Sequence, residues 1–251
     1  MAMRLRLRSR AERDRPSPQA MTLGEHLAEL RKRVIVILVV FAATATVCFV
    51  LYQHLLHFLQ SPYCHVSPHC QLYVTSPLDG LSLRIKLAGY GGLFLGSPVI
   101  MWEVWRFITP GLNRNEKRYA VPFVAASVFL FAGGAVLAYF TFPHALSFLG
   151  RIGGPTLQQI YDPNRYLGLI LALMLVFGLT FEFPVVLVSL QLVGVLSPAR
   201  LASFRRWAIV AITVVAAVIT PSGDPFSMLA LAVPLYGFYE LSIVMGRLLK
   251  R

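Results

Sequence analysis

Six long apolar runs constrain this chain more than any other feature. An α-helix rises 1.5 Å per residue, so about 20 apolar residues cross a hydrocarbon core of about 30 Å. Such runs fall at 34–52, 87–108, 119–149, 167–193, 207–219 and 226–245. Hydrophobic residues make up 57% of the 251 and charged residues 14%, against about 25% charged in a soluble domain. No polar stretch is long enough to form a soluble domain. The expected fold is an all-α membrane protein with six transmembrane helices in a single domain, 22–251. A basic, polar arm precedes it at 1–21 and is expected to be disordered. That arm has no apolar centre, so no cleavable leader is expected and the first span should direct insertion. No internal repeat is visible, which argues against an inverted-repeat transporter.

The formal charge is +12, from 23 Lys and Arg against 11 Asp and Glu. In a soluble protein that excess would suggest nucleic acid, but no zinc-finger spacing or base-stacking motif accompanies it. The cations cluster in alternate connections: the arm to Arg33, then Arg114, Lys117 and Arg118, then Arg200, Arg205 and Arg206, then Arg247, Lys250 and Arg251. Residues 53–80 and 220–225 hold no Lys or Arg, and 150–166 hold only Arg151 and Arg165. Positive loops stay inside, so both termini are expected in the cytoplasm. Arg84 and Lys86 are the main exceptions.

The fifth run has about 13 residues, roughly 20 Å of helix, and the sixth contains Pro234. Such short helices must thin the bilayer, stand upright or recruit partners. Pro98, Pro122, Pro143, Pro184 and Pro234 all lie in apolar runs. Each removes a helix hydrogen bond and favours a kink, so a curved, concave wall is expected rather than a straight bundle.

Carboxylates are scarce on the cationic side, and that scarcity selects the candidate sites. Thr22 followed by Glu25 is a capping-box pattern. It starts an amphipathic helix with Leu23, Leu27 and Leu30 on one face and Glu25 and Glu29 on another. Glu29 is also placed to pair with Arg33 at i,i+4, a stabilisation of a few tenths of a kcal/mol. Glu103, beside Trp105, Arg106 and Phe107, ends the second span, and Glu116 follows among Arg114, Lys117 and Arg118. Either these are solvated ion clusters, or Glu25, Glu29, Glu103 and Glu116 receive a cationic ligand. An arginine-bearing ligand suits them, because carboxylates accept guanidinium bidentately.

Glu182, in Phe181-Glu182-Phe183-Pro184, falls near mid-membrane, where an ionisable group must be paired, hydrated or protonated. Pro184 frees the Thr180 carbonyl beside it. The turn Thr220-Pro221-Ser-Gly-Asp224 joins the two short helices, with Asp224 placed to cap the sixth. Cys64 and Cys70 share one loop with His65 and His69. A disulfide is the leading expectation outside the cytoplasm, with free thiols and a metal as alternatives. Gly92 and Gly96 form a GxxxG pattern explained by close helix packing. No phosphate-binding loop or HExxH motif is present, nor a GxSxG with a plausible triad. No enzyme activity and no cofactor are expected.

Together these residues resemble the TatC family, the polytopic receptor subunit of the twin-arginine protein translocase. The matching stretches are His26-Leu-Ala-Glu29-Leu-Arg-Lys-Arg33, Ser97-Pro98-Val-Ile, Val104-Trp105-Arg-Phe107-Ile-Thr-Pro110-Gly-Leu, Glu116-Lys-Arg118, Phe181-Glu182-Phe183-Pro184, and Thr220-Pro221 with Asp224. The chain departs from the family with Asn115 where His is common and Glu103 where Gln is common. The resemblance implies a glove-like wall in the inner cell membrane, with both termini inside. It implies a cytoplasmic face that binds the twin-arginine signal peptides of folded substrates through Glu29 and Glu116, with Phe107 nearby. It implies that Glu182 meets polar groups of the single-span partners TatA and TatB in a homo- or hetero-oligomer. Export would be driven by the proton gradient. The rival class is a small-solute secondary transporter using Glu182 as its proton or cation carboxylate.

Overall fold

The computed structural model describes residues 23–64, 72–108, 120–154, 161–220 and 223–249. Among these there is no β-strand. The helices are α1 (Leu23–Val50), α2 (Tyr52–Cys64), α3 (Asp79–Ile108), α4 (Ala120–Ile152), α5 (Pro163–Phe181), α6 (Phe183–Leu192), α7 (Pro198–Ser203), α8 (Arg205–Ile219) and α9 (Pro225–Leu249). Four segments among the described residues are long and apolar enough to cross a membrane: Leu27–Val50, Val121–Ile152, Pro163–Leu192 and Pro225–Leu248. The other two expected spans are helical but fall short of that standard. α3 carries Asp79, Arg84, Lys86, Glu103 and Arg106 along its 30 residues. α8 has only 15 residues, but α9, expected to be short as well, runs for 25 because Pro234 does not end it.

Two close helix contacts set the framework. α1 lies against α3, with Thr44 donating to the Gly92 carbonyl at 2.8 Å. A Cβ at Gly92 would come within 2.9 Å of the Ala45 backbone, and one at Gly96 within 3.2 Å of the Thr44 hydroxyl. Gly92 and Gly96 therefore serve helix packing. α4 meets α5 even more tightly. A Cβ at Gly134 would reach 2.5 Å from the Phe177 carbonyl oxygen, and one at Gly178 would reach 2.9 Å from the Phe131 ring. Around this contact Phe142, Leu167, Ile170, Leu173 and Phe177 are fully buried and continuous with Leu231 and Ile243 of α9. The core thus runs through α4, α5 and α9. The outward faces of α1 and α8 stay apolar and exposed, with Leu38, Val39, Trp207 and Val218 among them.

Three features differ from the sequence reading. Residues 52–64 form a helix rather than part of a polar loop. Tyr52, Leu55, Leu56, Leu59 and Tyr63 recur at helical spacing and pack on the core. Tyr139 and Tyr166 then tie this helix down, donating to the carbonyls of Phe58 at 2.9 Å and Leu59 at 3.0 Å. The fourth run is two helices, because Pro184 cannot continue the hydrogen-bond ladder and the chain breaks at Glu182. Pro122 lies in the first turn of α4 and Pro184 in the first turn of α6, where a missing N–H costs nothing. Pro98, Pro143 and Pro234 remain interior to their helices, joined by Pro62 in α2.

The α4–α5 contact gives a paired expectation. Gly134→Ala should destabilise the protein by about 1–3 kcal/mol through overpacking against backbone. Gly133→Ala, where an added Cβ meets nothing within 4 Å, should change stability by less than about 0.5 kcal/mol. Thermal unfolding of the two variants in detergent measures the difference.

Candidate functional site

The acids at one end of the helices are brought together by a single arginine. Glu29 and Arg33 are one turn apart on α1, and Glu103 is near the end of α3. Arg33 donates through Nη2 to Glu29 Oε1 at 2.9 Å and through Nη1 to Glu103 Oε2 at 2.8 Å. Their side chains are 15% exposed at Arg33, 21% at Glu29 and 9% at Glu103. The i,i+4 pair expected from sequence is therefore present, and a second carboxylate 70 residues away completes it. Charge-assisted bonds of this kind contribute about 1.5–3 kcal/mol each when partly desolvated. Arg33 Nε is buried without a hydrogen-bond partner among the described residues. Phe107, four residues beyond Glu103, is half-buried. Glu25 belongs to the first turn of α1, but its side chain is outside the described residues, as is all of Glu116.

The same end of α3 also turns toward α4. Trp105 is buried against Phe123, with ring centroids 5.0 Å apart. It donates through Nε1 to the fully buried Ser127 hydroxyl at 2.9 Å. Ser127 in turn is hydrogen-bonded to Glu182. An indole N–H can only donate, so the Ser127 proton is left for the carboxyl. Glu182 occupies the break between α5 and α6, and its Oε1 is buried without a partner among the described residues. Pro122, Phe123, Ala126, Pro184, Val185 and Met245 help line an apolar cavity of about 280 Å³ between α4, α6 and α9.

Asp224 is 1% exposed and accepts the Ser227 amide at 2.7 Å, the helix-capping geometry expected of it. Gly223, at φ +60°, closes the turn before it. Pro221 lies outside the described residues. Cys64 is disulfide-bonded, Cys48 is a free buried thiol, and Cys70 lies outside the described residues.

Sequence reasoning missed several polar residues. Ser127 is one of a few scattered hydroxyls in an apolar run and gave no periodic signal. Glu240 was overlooked inside the sixth run, where it pairs with Arg205 at 2.7 Å and accepts from Tyr236 at 3.2 Å. At the opposite end, a clamp joins the segment before α3 to the start of α5. Asp79 accepts the Ser76 amide at 2.7 Å, the Thr75 amide at 3.0 Å and Asn164 Nδ2 at 3.0 Å. Thr75 also donates to Asp162 at 3.0 Å, and Asp162 caps α5 through the Arg165 amide. Lys86 donates to the Asn164 carbonyl at 2.8 Å, and Arg84 lies 4.8 Å above the Tyr52 ring. Both exceptions to the charge asymmetry thus have local partners.

With this geometry in view, comparisons with known proteins decide the family. The family profile for "Sec-independent protein translocase protein (TatC)" matches residues 25–234. The chain belongs to the TatC family. A TatC from Frankia casuarinae is 42% identical over 238 residues, spanning 90% of this chain and 65% of that protein. One from Aquifex aeolicus is 38% identical, spanning 92% of this chain and 97% of that protein. The crystal structure of the twin arginine translocase receptor TatC superposes with a TM-score of 0.75 at 37% identity, covering 90% of this chain and all of the other. A second crystal structure of that receptor, in DDM, gives 0.76. The fold is therefore TatC-like and the chain is a multi-pass membrane protein of a protein-translocase family. That family is one of receptors, not of known enzymes.

The clamp carries a pH expectation. Hydrogen bonds from the Ser76 amide, then from Thr75 and Asn164, hold the Asp79 carboxyl below its ordinary value of 3.8. A carboxyl lowered on folding stabilises the fold fully above 3.8 and loses that effect as the pH falls through its folded value. Amide exchange protection at Thr75 and Ser76 should therefore persist at neutral pH and decline only below 3.8. Asp79→Asn should lower it at neutral pH. Unchanged protection in that variant would exclude the carboxylate as the clamp.

Proposed function

We propose that this chain is the receptor and core subunit of a twin-arginine translocase. It binds the twin-arginine signal peptides of folded proteins at the cytoplasmic face, for export driven by the proton gradient. The observation that carries this reading is the arginine already held between Glu29 and Glu103. A surface that seats one guanidinium between two carboxylates has the chemistry to receive another. Glu25, Glu29, Glu103 and Glu116 form the acidic ground of the site, and Phe107 offers an apolar face beside it. Two signal-peptide arginines pair with Glu29 and Glu116, and the apolar part of the signal follows the membrane-facing groove. A lysine would keep the charge and lose the two-bond geometry.

The chain crosses the inner membrane six times as a single domain, 22–251, with both termini in the cytoplasm. α3 and α8 complete the four long apolar segments, and the short α8, joined through Asp224 to the longer α9, meets a locally thinned bilayer. The curved wall presents Glu182 toward the single-span partners TatA and TatB. The open hydrogen-bonding capacity of its Oε1 supports that role. Cys64 pairs with Cys70 on the outer side. The translocase names of the relatives favour protein export over small-solute transport at Glu182.

Photo-crosslinking to a twin-arginine signal peptide from positions 29 and 107 tests the site. Crosslinks should form with the wild-type chain, and Glu29→Ala or Glu116→Ala should reduce peptide binding by about tenfold or more, the worth of one charge-assisted pair. Normal binding in both variants would sink the assignment. A topology reporter fused after Lys117 should report the cytoplasm, and its appearance across the membrane would place the acids in the wrong compartment.

A further inference from the structure

The receptor reading leaves Arg33 unexplained, because it occupies a carboxylate that the ligand needs. We propose that Arg33 is an internal stand-in for the ligand guanidinium at Glu29. In this arrangement Glu103 acts through Arg33, as the carboxylate that keeps it when a ligand arginine takes Glu29. The inference rests on the receptor reading and assigns a positioning role to Glu103 within it.

The geometry separates the two acids. Glu29 is the more accessible at 21% exposed, and Glu103 the inner one at 9%. Arg33 gives one terminal nitrogen to each. Its guanidinium is shared between two acids, and its Nε is buried with no partner among the described residues. A ligand guanidinium approaching Glu29 can offer it two parallel N–H groups, which is the stronger arrangement. The charges also favour addition over simple replacement. Two carboxylates and one guanidinium leave the cluster one positive charge short of neutral, and one further guanidinium completes it. Arg33 need not leave. It releases Glu29 and stays bonded to Glu103.

Glu103 is essential to that exchange for a physical reason. A displaced Arg33 without a second acid would be a poorly solvated, unpaired cation, and removing one partner of such a pair is strongly unfavourable. Without Glu103, Arg33 would also have Glu29 as its sole anion among the described residues and would resist displacement. Glu103 thus lowers the competition that every ligand meets, as a competent-state population does.

A double-variant cycle on the full chain in lipid nanodiscs tests this, read by titration of a fluorescent twin-arginine signal peptide. Glu103→Gln should raise the Kd about tenfold, because Arg33 then locks onto Glu29. Arg33→Gln should bind as tightly as wild type or more tightly. The double variant Arg33→Gln/Glu103→Gln removes one charge of each sign, which protects folding, and should return the Kd to within about threefold of wild type. A double variant as weak as Glu103→Gln alone would overturn the proposal, because Glu103 would then hold the ligand directly. Weaker binding by Arg33→Gln would overturn it too, making Arg33 a support for Glu29 rather than its occupant. Glu29→Ala keeps the two failures apart. Full binding there removes the receptor reading itself, whereas lost binding there with no rescue in the double variant removes only the role given to Arg33 and Glu103.

Discussion

A charge inside an apolar body must find a partner, and this molecule is organised by how it meets that demand. An ion brought out of water costs several kcal/mol unless another group answers it. Arg33 is answered by Glu29 and Glu103, Arg205 by Glu240, Lys86 by the Asn164 carbonyl, Arg84 by the Tyr52 ring and Glu182 by Ser127. Apart from Glu29, which shares α1 with Arg33, each of these partners comes from a different element of the chain. Apolar contacts hold α4, α5 and α9 together, but they are interchangeable over many residues. The polar pairings are not, and they fix which helix face meets which.

That division explains what the sequence made legible. The long helices followed from apolar runs and needed no tertiary information. α2 did not, because Gln53, His54, His57 and Gln60 break the run. Its inward face is readable only if the spacing of Leu55, Leu59 and Tyr63 is given more weight than overall polarity. The break at Glu182 was signalled by Pro184, yet Pro122 carried the same letter with no such effect. A proline in the first turn of a helix costs nothing, and Pro98, Pro143 and Pro234 sit inside unbroken helices, so the residue type alone does not mark a break and helix boundaries are placed from sequence only to within a few residues.

The site was legible as a list of acids and not as an arrangement. Counting carboxylates on a basic surface isolated Glu29 and Glu103. Their union through Arg33 spans 70 residues, and nothing local encodes it. Ser127 was invisible for the same reason: a serine within a helix can bond its own backbone, and its meaning comes only from Trp105 and Glu182. The family resemblance carried weight where local patterns did not, because it binds separated motifs into one order, and the TatC-like fold agrees with that order.

α3 connects the two polar systems by simple helical geometry. Residues two apart on a helix point about 200° from each other. Glu103 and Trp105 must therefore face opposite sides, one toward Arg33 on α1 and the other toward Ser127 on α4. The last turns of α3 touch the guanidinium cluster on one face and the hydrogen-bond chain to Glu182 on the other. Both attachments are directional and short, so they tolerate little independent movement. A small rotation of this helix end alters both at once, whereas sliding the apolar faces of α1 and α3 past each other is opposed by the Gly92 and Gly96 contacts. The close glycine packing holds the helix axis in place, and the two attachments fix how its end is turned between α1 and α4.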